Sequence, residues 1–574
     1  MSGLEFTALG ADGHALDGFS FERSGDTLRV AYQGAHPVDA GVRVELALEP
    51  TDDPRWLVPG VFYGENRPAG CTRIYPRFVA NGIDVARMES PAWSFRADRC
   101  ATPAVFARGG ALATSEESPL GPSGVGFAYV DRRPLLRLHF PYREEPLRYD
   151  GSETPAPADV RTYRWRPGEH VELGFAVFDH GDHARVLRGL RTRFGDRSWV
   201  SIEEAAELAA WGLHRWHFRP DPPRLIETAA FDRDAFGDRG DRDAMHVSWV
   251  SGTPYAYALL RHGLRVGNAQ YVEAARAVLD HVAANRTPGG TFWAQWTASH
   301  GWTTGWHPDR TRLHARTLAD ATLFLLRATR VVPSPAWQAA VEANLDVACR
   351  TQRNDGALPA AHRVDTGEAA SWEGTAGLAW IPPLVEAGRL DEARRAGDYY
   401  AQLDTYHGAP EDVDLAPTSE DGYAAVMAFV ALEDWDAARG AADWMLTFRY
   451  TYDVAFSPCT ILGHYGFRTR GADNASPANP HLHAFGLICL PEMVRLARAL
   501  GDEYYLERTR ENLACFRQFI AREDGDFDAY RGMASERYYQ TDCFQAKGML
   551  LTLSHAWSIG VLLYGCEAAL ELGL

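Results

Sequence analysis

The chain has 574 residues, a formal net charge of −18 at pH 7 and a sequence pI near 5.6. The acidic balance argues against nucleic acid or an anionic membrane as the main partner, because both call for a basic surface. Length predicts two domains, since a single apolar core rarely grows past roughly 250–300 residues, and a composition of 46% hydrophobic and 23% charged residues suits a soluble globular protein.

The first residues, MSGLEFTALGADGHALDG, lack a basic stretch followed by an apolar one, so no signal peptide is expected. No apolar run approaches the roughly 20 residues that span a bilayer. The eight cysteines (71, 100, 349, 459, 489, 515, 543 and 566) form no CxxC and no zinc-type spacing, and are expected to be reduced in a cytoplasmic protein. No P-loop, G-x-G-x-x-G or G-x-S-x-G is present, so no cofactor and no metal are expected.

Residues 1–182 read as strands. "LRVAYQ", "VRVELALE", "GVGFAYV", "LLRLHF" and "HVELGFAVF" are short, apolar or alternating, and separated by Gly, Pro and Asp clusters, which predicts an antiparallel β-sandwich. "HARVLRGLRTRFG" then predicts a helical linker within 183–200. From 201 to 574 the apolar period lengthens to 3.6 and twelve helices are predicted, beginning near 201, 251, 268, 312, 335, 374, 390, 420, 434, 483, 503 and 554. Short turns near 264–267, 330–334, 389, 433 and 500–502 alternate with long loops. Short turns make antiparallel hairpins, so the alternation puts every long loop on one face of an (α/α)6 toroid. Long structureless loops usually serve function.

Those loops carry the candidate site residues. RTPGGTFWAQWTASHGWTTGWHPDRT (286–311) holds four tryptophans, of which Trp296, Trp302 and Trp306 are candidate platforms for the flat C–H face of a sugar; sealing the loop to the barrel is the alternative. "SWEGTAG" places Trp372 and Glu373, and "PTSEDGY" Glu420 and Asp421, at inner-helix starts, with Asp412 and Asp414 ahead of the latter pair. Asp542 lies in the last long loop. Helix capping explains any one of these carboxylates; as a set on one face they suit glycoside hydrolysis, which needs two carboxyls across a cleft. His481 and His483 are expected at a helix start, where a spacing of two does not put both rings on one face; hydrogen bonding to a substrate group and burial in the core are both open. Asp232, Asp234, Gly237 and Asp243 fall at calcium-loop offsets, but Phe236 and the final Asp depart from the pattern, and a solvated acidic loop is expected. Lys547 is the only lysine beside 57 arginines. Its place on the loop face suggests contact with a substrate carboxylate or hydroxyl, or tuning of Asp542.

With the twelve-helix pattern and "SWEGTAGLAW", "PTSEDGY" and "NPHLHAFG" at inner-helix starts, the chain resembles the six-hairpin glycosidases. Many bacterial members carry a β-sandwich ahead of the toroid, with a loop that reaches the active-site rim. The resemblance implies that role for PGVFYGENRPAGCTRIYPRF (59–78), whose Arg73, with Glu65, Arg67 and Arg77, would suit an anionic sugar. It implies an exo-acting glycoside hydrolase on a short oligosaccharide, probing a uronic acid through Arg73 or Lys547. By position alone, Glu420 or Glu373 would be the acid, and the other, or a nearby Asp such as Asp421 or Asp542, would activate water or attack the anomeric carbon, with inversion preferred. The alternatives are a uronate lyase using His481 or His483 with Tyr538 or Tyr539, a sugar epimerase, and a non-catalytic carbohydrate-binding protein. Oligomeric state stays open.

Overall fold

The computed structural model describes residues 3–64, 66, 92–148, 156–190, 199–232, 241–306, 309–408, 417–477, 479–483 and 485–574, and the backbone of 78–80 and 83–86. Its first third is built from two antiparallel sheets. One runs Leu4–Leu9, Val38–Ala47, Arg133–Phe140, Gly124–Val130, Ala92–Arg96, Arg143–Arg148 and Ala156–Val160, with Tyr163–Trp165 also paired to Val38–Ala47. The other runs Phe19–Ser24, Thr27–Tyr32, His170–Phe178, Gly110–Thr114, Ala104–Ala107, Leu57–Val58 and Phe62–Tyr63. Alternation decides which faces meet. Leu28 and Val30 of the second sheet and Val42, Val44, Leu136 and Leu138 of the first are all buried in one shared core. The register pairs Leu136 with Leu46 and Leu138 with Val44, so apolar side chains of neighbouring strands stand side by side.

Helix α1 (His183–Leu190) leads into the helical part. Its Arg188 lies over the Tyr504 ring at 4.1 Å and donates to Asp502 at 2.6 Å, which pins the connector to its neighbour. Among the described residues, twelve helices then build a ring: α2 (Ile202–Gly212), α3 (Thr253–Val266), α4 (Ala269–Ala284), α5 (Ala315–Val331), α6 (Pro335–Thr351), α7 (Ile381–Glu386, entered through a 3-10 turn), α8 (Leu390–Tyr400), α9 (Ser419–Leu432), α10 (Trp435–Met445), α11 (Leu490–Leu500), α12 (Glu503–Phe516) and α13 (Ala556–Leu572). Helices α3, α5, α7, α9, α11 and α13 touch in succession and close into an inner ring, each backed by a partner. Five of the pairs are hairpins joined by short turns. The sixth joins the first helix to the last, α2 lying against α13. The helical part is therefore an (α/α)6 toroid. Helices α9 and α13 are buried along nearly their whole length, as an inner helix covered on both sides must be.

Outer helices α4, α6, α10 and α12 are capped by Asn268, Ser334, Asp434 and Asp502, which accept from their first-turn N–H groups. The long loops lie at the other end and are stitched together by short strands. Ala244–His246 pairs with Gln295–Thr297, Arg312–His314 with Ala361–Arg363, and Thr228–Ala230 with Leu553–His555, so loops from the two ends of the helical part also meet.

One expectation is corrected. His481 and His483 do not open a helix. They lie on a strand, Asn479–His483, paired with Asp473–Ser476, and α11 begins only at Leu490. On a strand a spacing of two puts both side chains on the same face.

Candidate active site

The N-terminal ends of the inner helices converge on the loop face. Trp249 stands just before α3 and Trp557 in the first turn of α13, with ring centroids 5.8 Å apart. Arg316, in the first turn of α5, is buried with its guanidinium 4.6 Å from the Trp249 ring centre and 4.8 Å from that of Phe485. It donates to Glu420, in the first turn of α9, and to Asp320 one turn further along α5 at 3.3 Å. Burial works against the Arg316 charge, but the two carboxylates outweigh it and hold the guanidinium above its usual range. Burial pushes the Asp320 carboxyl up to about 6, against the pull of Arg316.

Trp249, Trp557, Glu420, His481 and His483 line a small, open cavity, completed by Asn479 and by Glu536 and Arg537 of the last long loop. Four of these side chains carry a buried ring nitrogen with no hydrogen-bond partner: Trp249 Nε1, Trp557 Nε1, His481 Nε2 and His483 Nδ1. Buried polar atoms are normally paired, so these four nitrogens are available to whatever fills the cavity, water or ligand. The other nitrogens fix how the rings stand. His481 Nδ1 meets Asn479 Oδ1 at 2.9 Å, and His483 Nε2 meets Ser419 Oγ at 2.8 Å. An amide oxygen only accepts, so His481 carries its proton on Nδ1 and presents Nε2 as a lone pair. Burial keeps both rings neutral, His481 well below the usual histidine range.

The structure separates the other candidates expected from the sequence, some by position and some by what already occupies them. Glu373 is exposed, its N–H held by Ser371 Oγ at 3.1 Å, and it does not line the cavity. Asp421 forms a capping box with Thr418 at the start of α9. Trp296 lies under the Arg224 guanidinium at 4.7 Å, Trp302 packs on the His281 ring at 5.0 Å, and Trp306 stacks on His246 at 5.2 Å behind Trp249. Trp372 is 36% exposed, with the Arg353 guanidinium 5.8 Å away. Asp243 is paired with Arg224 at 2.8 Å, and residues 233–240 of the acidic loop lie outside the described residues. So do Glu65, Arg67, Arg73, Arg77, Asp412 and Asp414. Among the described residues no group of three or more His, Cys, Asp or Glu is placed to hold a metal ion.

Lys547 is used elsewhere. Its Nζ donates to Asp98 at 2.9 Å and Glu116 at 3.0 Å, both from the sheet-built part, and its own N–H donates to Asp542 at 2.9 Å. Asp542 also accepts from Arg96 at 2.8 Å. Burial opposes ionisation of Asp98, yet Lys547, Arg96 and Arg99 together bring its carboxyl down to about 2. A short, freely rotating ammonium can serve two carboxylates that converge on a point, which a planar guanidinium does not do. Lys547→Ala leaves Glu116 buried without its cation. It is expected to lower the unfolding free energy by about 3 kcal/mol, read from the urea midpoint at constant slope. A loss under about 1 kcal/mol would rank the cluster with ordinary surface pairs.

Glu536, one of the loop-face carboxylates the sequence offers with Asp542, lines the cavity, and residues that reading the sequence did not single out complete it: Trp249, Arg316, Arg537 and Trp557. Trp249, Arg316 and Trp557 stand at inner-helix starts, the same position that singled out Glu420.

No family model and no curated protein matches the chain. Solved structures do. A polysaccharide lyase is similar over 100% of this chain and 93% of its own, with a TM-score of 0.51 at 10% identity. A D-mannose isomerase matches 66% of this chain and 100% of its own at a TM-score of 0.46 and 13% identity. A GH76 alpha-mannanase of Bacteroides thetaiotaomicron matches 65% and 97% at 0.43 and 10%. At such identities the likeness is one of fold, and the fold this chain shares is the six-hairpin (α/α)6 toroid found among carbohydrate-active enzymes.

Proposed function

We propose that the chain is a carbohydrate-active enzyme that cleaves a uronate-containing oligo- or polysaccharide by β-elimination. In this reading residues 1–182 form a β-sandwich, 183–200 a linker and 201–574 the catalytic toroid. One observation carries it: a neutral histidine, His481, with an unpartnered ring nitrogen, lines the same cavity as the guanidinium of Arg537. That is the equipment for removing a proton next to a carboxylate. Arg537 draws charge from the substrate carboxylate, which acidifies the C5 hydrogen. His481 Nε2 takes that proton, the electron pair forms the C4=C5 double bond, and the C4–O bond breaks. The leaving oxygen needs a proton. We assign its donor as Tyr539, whose ring centre is 6.5 Å from that of His481 and whose hydroxyl burial holds protonated, with its pKa at about 12. Tyr538 suits that role less well, because its hydroxyl already donates to Phe519 O at 2.9 Å and accepts from Ser535 N.

Two further points favour an anionic substrate acted on in this way. Six inner helices turn their positive ends toward the mouth. The likeness to the polysaccharide lyase also extends over the whole chain, not the toroid alone. Hydrolysis by Glu373 and Glu420 is less well supported, since Glu373 stands exposed outside the cavity and Glu420 is tied to Arg316.

Incubation with polyuronates, followed in the ultraviolet, tests the reading. An eliminase produces a conjugated, absorbing chain end. New reducing ends without absorbance would mean hydrolysis and sink the proposal. Because the base is held neutral by burial, the acid limb of kcat/KM is expected below about pH 6.5, the ordinary histidine value.

A further inference from the structure

Phe544 is an exposed aromatic residue that the packing of the protein does not require. Single exposed apolar side chains are ordinary, but three facts set this one apart. The residue is 55% exposed, the most open large apolar residue among the described ones. It stands at the tip of a tight turn, closed by Cys543 N donating to Gln545 O at 3.0 Å. And the guanidinium of Arg537 lies over it, 5.5 Å from the ring centre, while Arg537 also lines the cavity. One side chain therefore spans the cavity and the exposed ring.

The turn is also held from below. Asp542, at its start, is gripped by Arg96 and by the backbone of Lys547, and the Asp542 carbonyl accepts from Arg99 Nη1 at 2.8 Å. Lys547, at its end, is fixed by Asp98 and Glu116. Both anchors reach into the sheet-built part, so a rigid brace presents a ring to solvent beside the cavity.

We propose that Phe544 is a sugar-binding platform outside the cavity, where the next pyranose ring of the same uronate chain lays its C–H face on the phenyl ring and its acidic group near Arg537. This rests on the uronate reading above and adds to it that the enzyme measures chain length. The sheet-built part contributes by holding the turn.

The test is calorimetric binding of oligouronates of increasing length to the full chain, from the disaccharide upward, with Phe544→Ala and Phe544→Trp beside the parent. Affinity in the parent is expected to rise about tenfold once the oligomer is long enough to leave the cavity, the gain from covering part of an aromatic face. Phe544→Ala is expected to lose that step and Phe544→Trp to keep it. A step that survives in Phe544→Ala, or a parent whose affinity ignores length, overturns the platform and leaves the uronate reading standing. A parent that binds no oligouronate of any length overturns both. Lys547→Met, which removes the brace without touching the ring, is expected to blunt the same step; an unblunted step would overturn the part of the proposal that gives the sheets a share in holding the turn.

Discussion

Replacing His481 by Ala is expected to lower the rate of unsaturated product formation by about 10²–10⁴-fold, the contribution of a positioned general base. Oligouronate affinity should stay within a few-fold, because Arg537 and the tryptophan walls remain. The reason lies in one hydrogen bond. Asn479 Oδ1 fixes the ring's proton on Nδ1, which leaves Nε2 as the only basic atom of the ring, and burial keeps it unprotonated in the neutral range. The same tautomer argument predicts a smaller loss for Asn479→Asp, since a carboxylate still accepts from Nδ1–H and makes the ring more basic, shifting the acid limb of kcat/KM upward. If His481→Ala retains the parental rate, the base is another group and the assignment fails. Partial recovery on adding free imidazole would separate a lost base from a disturbed fold.

The second large effect is on stability. His217, His246 and His362 are fully buried and neutral, with burial lowering their pKa values to about 3, 3 and 4. The unfolded chain binds these protons below about pH 6.5 and the folded one does not, so stability is present above that pH and is lost as pH falls toward the folded values. At about pH 5 the loss is on the order of 2 kcal/mol for each ring. Asp320 works the other way. Its raised carboxyl binds a proton in the folded state first, offsetting about 1 kcal/mol. Urea midpoints measured from about pH 7.5 down to about pH 5 should therefore fall steeply, and a flat profile would mean that these histidines are not held neutral. His362→Gln, which removes one titrating ring, should flatten the curve while lowering its plateau.

Much of this was legible in the sequence, and what was not has a physical reason. Helices announce themselves through a 3.6-residue apolar period, and their alternating short and long connections give the toroid without any knowledge of contacts. The rule that inner-helix starts face the loops found Glu420, and applied evenly it finds Trp249, Arg316 and Trp557 as well. Strands inside long loops were beyond reach. Asn479–His483 is too short to show a period, so His481 and His483 looked like helix residues on different faces. Tryptophan count is ambiguous for a related reason. An indole in a Gly/Thr-rich loop can serve a ligand or cover a hairpin, and only tertiary contacts tell that Trp302 packs on His281. Lys547 stood out by rarity, which said that the position is special but not for what; its partners Asp98 and Glu116 are more than four hundred positions away in the chain and nothing local points to them.

The pairing of α2 with α13 has a bearing on how the molecule comes into being. A ring sealed by its first and last members has no stable arc: until α13 arrives, the inner faces of α3 and α2 have no cover, and the strand Thr228–Ala230 waits for Leu553–His555. During synthesis the surfaces of α2, α3 and α11 that pack on α13 stay uncovered until that helix has left the ribosome, an interval in which aggregation competes with closure. Cutting the chain before α13 should therefore yield not a slightly shorter version of the protein but an insoluble one. Joining the ends of α2 and α13 and opening one of the long loops instead should give a rearranged gene product that still closes.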